Sequence, residues 1–290
     1  MVADALLGRT VDDRYRVDAR IAVGGMATVY RALDLRLDRT VALKVMHGQW
    51  AEDPDFLSRF RAEARAAARL AQPNAVGVYD QGEWDGLVYL IMEFVPGRNL
   101  RAVLRDAGPL SPALALSVID QVLQALDSAH RAGFVHRDIK PENIIVGMFG
   151  EVTLIDWGAA KVWGMPNDGG EGTKGQRGGT PLYMSPEQVT GHRMVDERTD
   201  IFSLGIVMYE MMAQREPFRG ADIGKTFDNI VNKAPTPPRE AAPHRVIPQK
   251  LEEICLKALE KDPNDRYQSM TAMMSAVNKF RNDSLLRDIS

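Results

Sequence analysis

Apolar and polar residues alternate in short runs over roughly residues 15–95, punctuated by Gly and Asp, which predicts strands with a period of two. In Val41-Ala42-Leu43-Lys44-Val45-Met46, alternation sends Val41, Leu43 and Val45 to one face and Ala42, Lys44 and Met46 to the other. Within this strand-rich part, Asp53-Pro54 is a cap-and-first-turn pair, and Phe56, Phe60, Ala64, Ala67 and Leu70 follow at helical spacing. Glu63 falls on that apolar stripe, where a carboxylate is costly unless a cation meets it. After residue 95 the period changes to that of helices. Residues 111–132 predict an amphipathic helix with Leu114, Val118, Val122, Leu126 and Ala129 inward, ending near Gly133. Further helices are predicted at about 198–212, 248–260 and 269–280, joined by Pro-rich connections. Between Trp157 and Pro181 stand eight glycines and few apolar residues, which reads as a long mobile loop of the kind that usually carries function.

Composition narrows the classes. The 290 residues are 45% hydrophobic, ample for one large domain or two smaller ones sharing a cleft. A net charge of −3, from 36 basic and 39 acidic residues, gives no global field to attract nucleic acid or an anionic membrane. The single cysteine, Cys255, has no partner for an internal disulfide and fits a reducing cytosol. The first ten residues lack the basic and long apolar regions of a secretory signal. The longest apolar stretch, from Ile201 to Ala213, is interrupted by Ser203 and Glu210 and falls short of the about 20 residues a membrane span needs, so it reads as a buried helix.

The strongest chemical signal is His136-Arg137-Asp138-Ile139-Lys140-Pro141-Glu142-Asn143. An Asp, a Lys two places on and an Asn five places on supply an acceptor for a hydroxyl proton, a cation for a moving phosphoryl and a metal ligand. Seven fixed positions match by chance with a probability on the order of 10⁻⁹ per start site, which sets aside an idle charged loop. Here the sequence resembles the eukaryotic-like protein kinases, specifically the bacterial Ser/Thr kinases, over about residues 15–280. The resemblance implies an α+β, bilobal fold: a small β-rich N-lobe with one helix (15–95, hinge at 93–95) and a larger, mostly helical C-lobe (96–281). Residues 1–14 would be an N-terminal extension, and 282–290 a tail or a truncated juxtamembrane linker.

By the same resemblance Asp138 is the catalytic base, Lys140 contacts the γ-phosphate, and His136 and Arg137 support the loop. Asn143 and Asp156 hold Mg²⁺, with Mn²⁺ as the alternative ion. Asp156 lies in Asp156-Trp157-Gly158, where Trp157 replaces the family's Phe; alone, that triplet reads as a turn. Lys44 would pair the α- and β-phosphates of ATP and Glu63 would pair Lys44. Residues alone leave a second reading open, with Lys44 facing solvent on an edge strand and Glu63 snorkelling. Against the glycine-loop pattern, Ala22-Val23-Gly24-Gly25-Met26-Ala27-Thr28-Val29 keeps only Gly24 in place, Ala22 and Ala27 standing for glycines; by itself the segment is a hairpin turn. Val29, Ala42 and Ile145 would sandwich the adenine, Met92 would be the gatekeeper, and Glu93-Phe94-Val95 would offer backbone hydrogen bonds.

Gly179-Thr180-Pro181-Leu182-Tyr183-Met184-Ser185-Pro186-Glu187 resembles the substrate-docking segment. Thr180 would bond to Asp138 and Lys140, Glu187 would pair with Arg266, and Asp200 would anchor the catalytic loop from below. Lys140 and Thr180 favour Ser/Thr over Tyr. Arg137 before the catalytic Asp implies a basic pocket awaiting a phosphate, and Thr173 is the one hydroxyl residue between Trp157 and Gly179, hence the expected autophosphorylation site. The expectation is an ATP-dependent Ser/Thr protein kinase acting on protein substrates and on itself. It is cytoplasmic, with a tether to the inner membrane and a homodimer left open, and binds no nucleic acid. A pseudokinase scaffold and a small-molecule kinase are the competing readings; the first is opposed by the charged set from Lys44 to Asp156, the second by Ser185-Pro186-Glu187. The first half is similar to actinobacterial kinases, and 149–158 to those of other phyla.

Overall fold

A computed structural model describes residues 5–25, 27–48, 54, 57–58, 60–61, 70, 72–108, 110–157, 161–162, 181–192 and 195–289. Glu63, most of the helix predicted from Asp53, the 163–180 loop, Thr173 and Thr180 lie outside these. The chain forms two compact units. One comprises Met1–Ala71, Ala75–Pro96 and Asp156–Ala159, the other Gln72–Asn74, Gly97–Ile155 and Ala160–Ser290.

In the first unit, β1 (Thr10–Val11), β2 (Tyr15–Val23), β3 (Ala27–Asp34), β4 (Arg39–Met46), β5 (Val78–Trp84) and β6 (Leu87–Glu93) make an antiparallel sheet in the order β1-β2-β3-β4-β6-β5. Alternation decides its faces. Val41, Leu43 and Val45 join Val17, Tyr30, Ala32, Tyr89 and Ile91 in one apolar core, as the period of two predicts. Between β5 and β6, Asp85 and Gly86 both hold positive φ (51° and 73°), the two-residue turn whose twist matches that of paired strands.

The second unit is mainly helical: α1 (Leu100–Ala107), α2 (Pro112–Arg131), α3 (Pro186–Val189), α4 (Arg198–Ala213), α5 (Ile223–Asn232), α6 (Pro238–Ala241), α7 (Gln249–Ala258) and α8 (Met270–Ile289). Two small sheets accompany them, β7 (Arg98–Asn99), β9 (Ile144–Val146) and β10 (Val152–Leu154) in the order β10-β9-β7, and β8 (Phe134–Val135) with β11 (Lys161–Val162). Helix α2 begins where Ser111 accepts the Leu114 amide, with Pro112 in the first turn. Its stripe is buried at Val118, Val122, Leu126 and Ala129, but Leu114 is exposed. That corrects the sequence reading: spacing placed Leu114 on the inner face, but the first-turn residue that is buried is its neighbour Ala115. Helix α4 is buried from Thr199 to Ala213, as an all-round apolar helix must be. Gly205 lets α7 approach, since a Cβ there would stand 3.0 Å from the Ala258 Cβ. Cys255, on α7, is buried, and its thiol donates to the Gly205 carbonyl. Helix α8 runs past the predicted end at 280, with Arg281 reaching Asp120 of α2.

Candidate active site

The sheet of the first unit gathers five of the nominated residues on one face. Directly opposite residues in an antiparallel pair share a face, and the pairs Ala22↔Val29, Val29↔Lys44 and Ala42↔Met92 run across four strands. Ala42 and Lys44, two apart on β4, close the set. Ala42 and Met92 are buried and Val29 is half-buried. At the β2–β3 turn the Gly24 amide donates to the Ala27 carbonyl at 2.9 Å, and Val23 and Gly25 are exposed. A Cβ on Gly24 would crowd that carbonyl at 3.3 Å, whereas one on Gly25 would meet open space. Glu93 ends β6 with its amide donated to the Gly77 carbonyl, and Val95 follows, half-buried.

Lys44 Nζ donates to Asp156 Oδ1 at 2.9 Å. The Lys44 side chain is 14% exposed and that of Asp156 41%, so the ammonium is sheltered while the carboxylate keeps access to solvent. Asp156 has φ of +64°, a left-handed conformation that few non-glycine residues adopt. The next side chain, Trp157, is fully buried, where the resemblance implies an apolar plug.

In the second unit the turn Pro141–Asn143 folds the His136–Asn143 segment into a cluster. Lys140 Nζ donates to Asp138 Oδ2 at 2.6 Å, and Asn143 Nδ2 donates to Asp138 O at 2.9 Å and Oδ2 at 3.1 Å. Asn143 is buried, whereas Asp138 and Lys140 are each about a third exposed. A carboxylate so placed, held by an ammonium and a carboxamide and still open to solvent, can accept a proton from an incoming hydroxyl. Ile145 follows on β9, half-buried and paired with Thr153.

Asp200, in the first turn of α4, organises this segment. Its Oδ2 accepts from the His136 amide and its Oδ1 from the Arg137 amide, each at 2.8 Å, and Oδ2 lies 2.8 Å from His130 Nε2. Burial alone would raise the Asp200 carboxyl, but the hydrogen bond with His130, the neighbouring imidazoles and the Arg137 amide hold it below the usual carboxylate range. The amide bonds help hold Arg137 at φ +68°. Arg137 also donates through Nη2 to the Val195 carbonyl. Farther along, Arg266 meets Glu187 through both terminal guanidinium nitrogens at 2.8 Å, the pair the resemblance implies, and donates to the carbonyls of Arg198, Glu260 and Lys261.

Sequence reasoning missed a cluster built around Arg101. Its Nε donates to Glu142 at 2.8 Å, Nη1 to Glu210 and Nη2 to the Tyr183 hydroxyl, which itself donates to Glu210. The signal was present: Glu210 interrupts the apolar run of α4, and a carboxylate in such a helix requires a buried partner.

The sequence model of the protein kinase domain matches residues 15–277. Serine/threonine-protein kinase PknL of Mycobacterium tuberculosis is 41% identical over 271 residues, 93% of this chain and 66% of PknL. Serine/threonine-protein kinase pkn3 of Myxococcus xanthus is 38% identical over 288 residues, 96% of this chain and 52% of pkn3. The chain thus spans between half and two thirds of the length of these relatives. The crystal structure of the Mycobacterium tuberculosis PknI kinase domain matches with a TM-score of 0.71 at 26% identity, covering 94% of this chain and 98% of that one. This likeness shows an α+β fold of the same kind.

Proposed function

Because this chain belongs to the protein kinase domain family, we propose that it transfers the γ-phosphoryl of ATP to Ser and Thr hydroxyls of proteins. The observation that supports this most is the Asp138–Lys140–Asn143 cluster, which assembles a proton acceptor, a cation and an oxygen donor within one turn. In this reading Asp138 takes the proton of the acceptor hydroxyl as that hydroxyl oxygen bonds to the γ-phosphorus, while the bond from the γ-phosphorus to the β–γ bridging oxygen breaks and ADP leaves. Lys140 holds positive charge beside the moving phosphoryl, and Lys44 holds the α- and β-phosphates. Ala22, Val23, Gly24 and Gly25 cover the phosphates, while Val29, Ala42, Met92, Ile145 and the backbone of Glu93 to Val95 receive the adenine. In this part Lys44, set by Asp156, is a cation prepared for anionic oxygens before any nucleotide arrives.

The donor chemistry fits Mg²⁺ or Mn²⁺. Asp156 offers a carboxylate and Asn143 a carboxamide oxygen, both hard donors. Among the described residues no group of three or more His, Cys, Asp and Glu could cage a metal. Mg²⁺ bound through one or two protein oxygens completes its shell with phosphates and water. The ion would neutralise charge on the phosphate oxygens. Glu63 is proposed as a partner of Lys44, Thr180 as a contact of Asp138, and Thr173 as the autophosphorylation site whose phosphate would meet Arg137. Phosphopeptide mapping of active enzyme checks the last point, and an unmodified Thr173 would remove it.

Transfer of labelled γ-phosphate from ATP to a degenerate Ser/Thr peptide library tests the main reading. Wild type should label the peptides, and Asp138→Asn should reduce kcat by about 10²–10⁴-fold with nucleotide affinity retained. Equal labelling by both proteins would overturn it.

A further inference from the structure

We propose that Arg101 is a positioning residue: its guanidinium ties the turn carrying Glu142 and Asn143 to Tyr183 and to α4, and so sets how a protein acceptor lies at Asp138. This rests on the phosphotransfer reading above.

Arg101 stands in the first turn of α1, and all three guanidinium nitrogens are used, on three other segments of the chain. Glu142 belongs to the same turn as Asn143, which fixes Asp138. Tyr183 belongs to the segment leading into α3, and Glu210 to the buried α4. A guanidinium presents its donors in a rigid fork, so three simultaneous bonds fix three segments in one arrangement. Glu216 also approaches Arg101, at 4.0 Å, but it is paired with Arg219 at 2.7 Å, which leaves Arg101 to Glu210 and Glu142. Glu210 is only 7% exposed, and burial raises its carboxyl above the usual range, against the Tyr183 hydroxyl bond and the Arg101 charge, which both favour the ionised form.

The position of Asp138 gives these bonds a role in the reaction. Residues 183–188 are linked to the catalytic segment on both sides of Asp138, directly before it and through Arg101 after it. Before it, Gln188 Nε2 donates to the Arg137 carbonyl at 2.9 Å; after it, Tyr183 reaches Glu142 through Arg101. Ser203 of α4 holds the Tyr183 carbonyl at 2.7 Å. A polypeptide bringing a hydroxyl to Asp138 must therefore fit against a segment whose place Arg101 determines. The residues proposed for the phosphates, Lys44 and Asp156, belong to the other unit, and none of the bonds described for Arg101 reaches them.

The consequence is a split in kinetics. In the full chain, Arg101→Ala should lower kcat for the peptide library by about 10-fold to 10²-fold per folded molecule, the scale of a misplaced reacting group. The KM for ATP should stay within ~2-fold of wild type. Arg101→Lys should recover little, because a point charge cannot make the three-way fork. Arg101→Ala and Glu142→Ala should be non-additive, since either cuts the same tie. Arg101→Met with Glu210→Gln removes the Arg101 charge together with the buried Glu210 charge and guards against simple unfolding. It should regain thermal stability relative to Arg101→Ala without regaining kcat. Recovery of kcat together with stability would show a structural role only and overturn the inference. So would an unchanged kcat in Arg101→Ala, additive effects with Glu142→Ala, or an ATP KM that rises in step. Failure of the underlying reading is separate, because wild type itself would then not label the peptides.

Discussion

Arg137 and Asp156 each keep a left-handed φ that costs of order 1–3 kcal/mol for a residue with a side chain. For Arg137 the compensating bonds are visible, and they converge on one carboxylate. Asp200→Ala would strip acceptors from two backbone N–H groups, at His136 and Arg137, and from His130. An unsatisfied buried donor costs about 1–3 kcal/mol, so the variant should lose on the order of 3 kcal/mol in urea unfolding. It should also lose phosphotransfer, because Asp138 follows directly on the released bonds. Unchanged stability would mean that other contacts hold the His136–Asp138 backbone. The role of Asp200 was legible in the sequence only through family resemblance. Periodicity marks it merely as a polar residue at the start of an apolar helix, and no pattern says that its oxygens face two amides 63 and 64 residues earlier.

At the scale of elements, apolar periodicity located α2, α4, α7 and the start of α8, because each buries a stripe or its whole circumference and the stripe must recur at helical spacing. It failed where burial and helix part company. Leu114 is helical but uncovered, and α8 continues from Phe280 to Ile289 beyond the stripe on which its predicted end rested. The junction of α3 with the turn before Tyr267 was legible as a charge pair but not as a hub. Arg266 is 2% exposed and donates to three carbonyls as well as to Glu187. Glu187→Ala would leave that guanidinium uncompensated in the interior. Loss of one partner of a buried pair costs about 3–5 kcal/mol, and Arg266→Lys should lose a comparable amount because an ammonium cannot replace the fork. Denaturant midpoints of the two variants check this, and a Lys variant as stable as wild type would refute it.

For the molecule as a whole, the titrating groups divide into sets with opposite signs. Burial opposes ionisation of Glu187, Asp196, Asp200 and Glu216, yet their cationic and amide partners hold all four below the usual carboxylate range. The unfolded state takes up protons first as pH falls through about 4, so this stability is present at neutral pH and is lost in acid. Tyr15, Tyr89 and Tyr183 are raised by burial, so above about pH 10 the unfolded chain sheds protons that the folded chain keeps, and stability declines again. Between these limits a partly buried lysine contributes a slope. Lys261 is pushed down from 10.5 to about 7 by burial, with Arg266 adding repulsion, although its ammonium lies 3.6 Å from the Phe218 ring centroid and donates to the Ile230 carbonyl. From pH 7 to 10.5 the unfolded state binds more protons at this lysine than the folded state, so stability rises with pH across that interval. Below pH 7 both states are protonated there and the folded one bears the full penalty. Thermal unfolding at pH 6, 8 and 9.5 should therefore give a rising Tm for wild type. In Lys261→Met, which keeps the apolar stem against Phe218 and removes the charge, that rise should flatten, with most of the gain in Tm at pH 6. Parallel curves for the two proteins would place the source of the slope elsewhere, and a Tm that falls from pH 6 to 8 in wild type would contradict the sign itself.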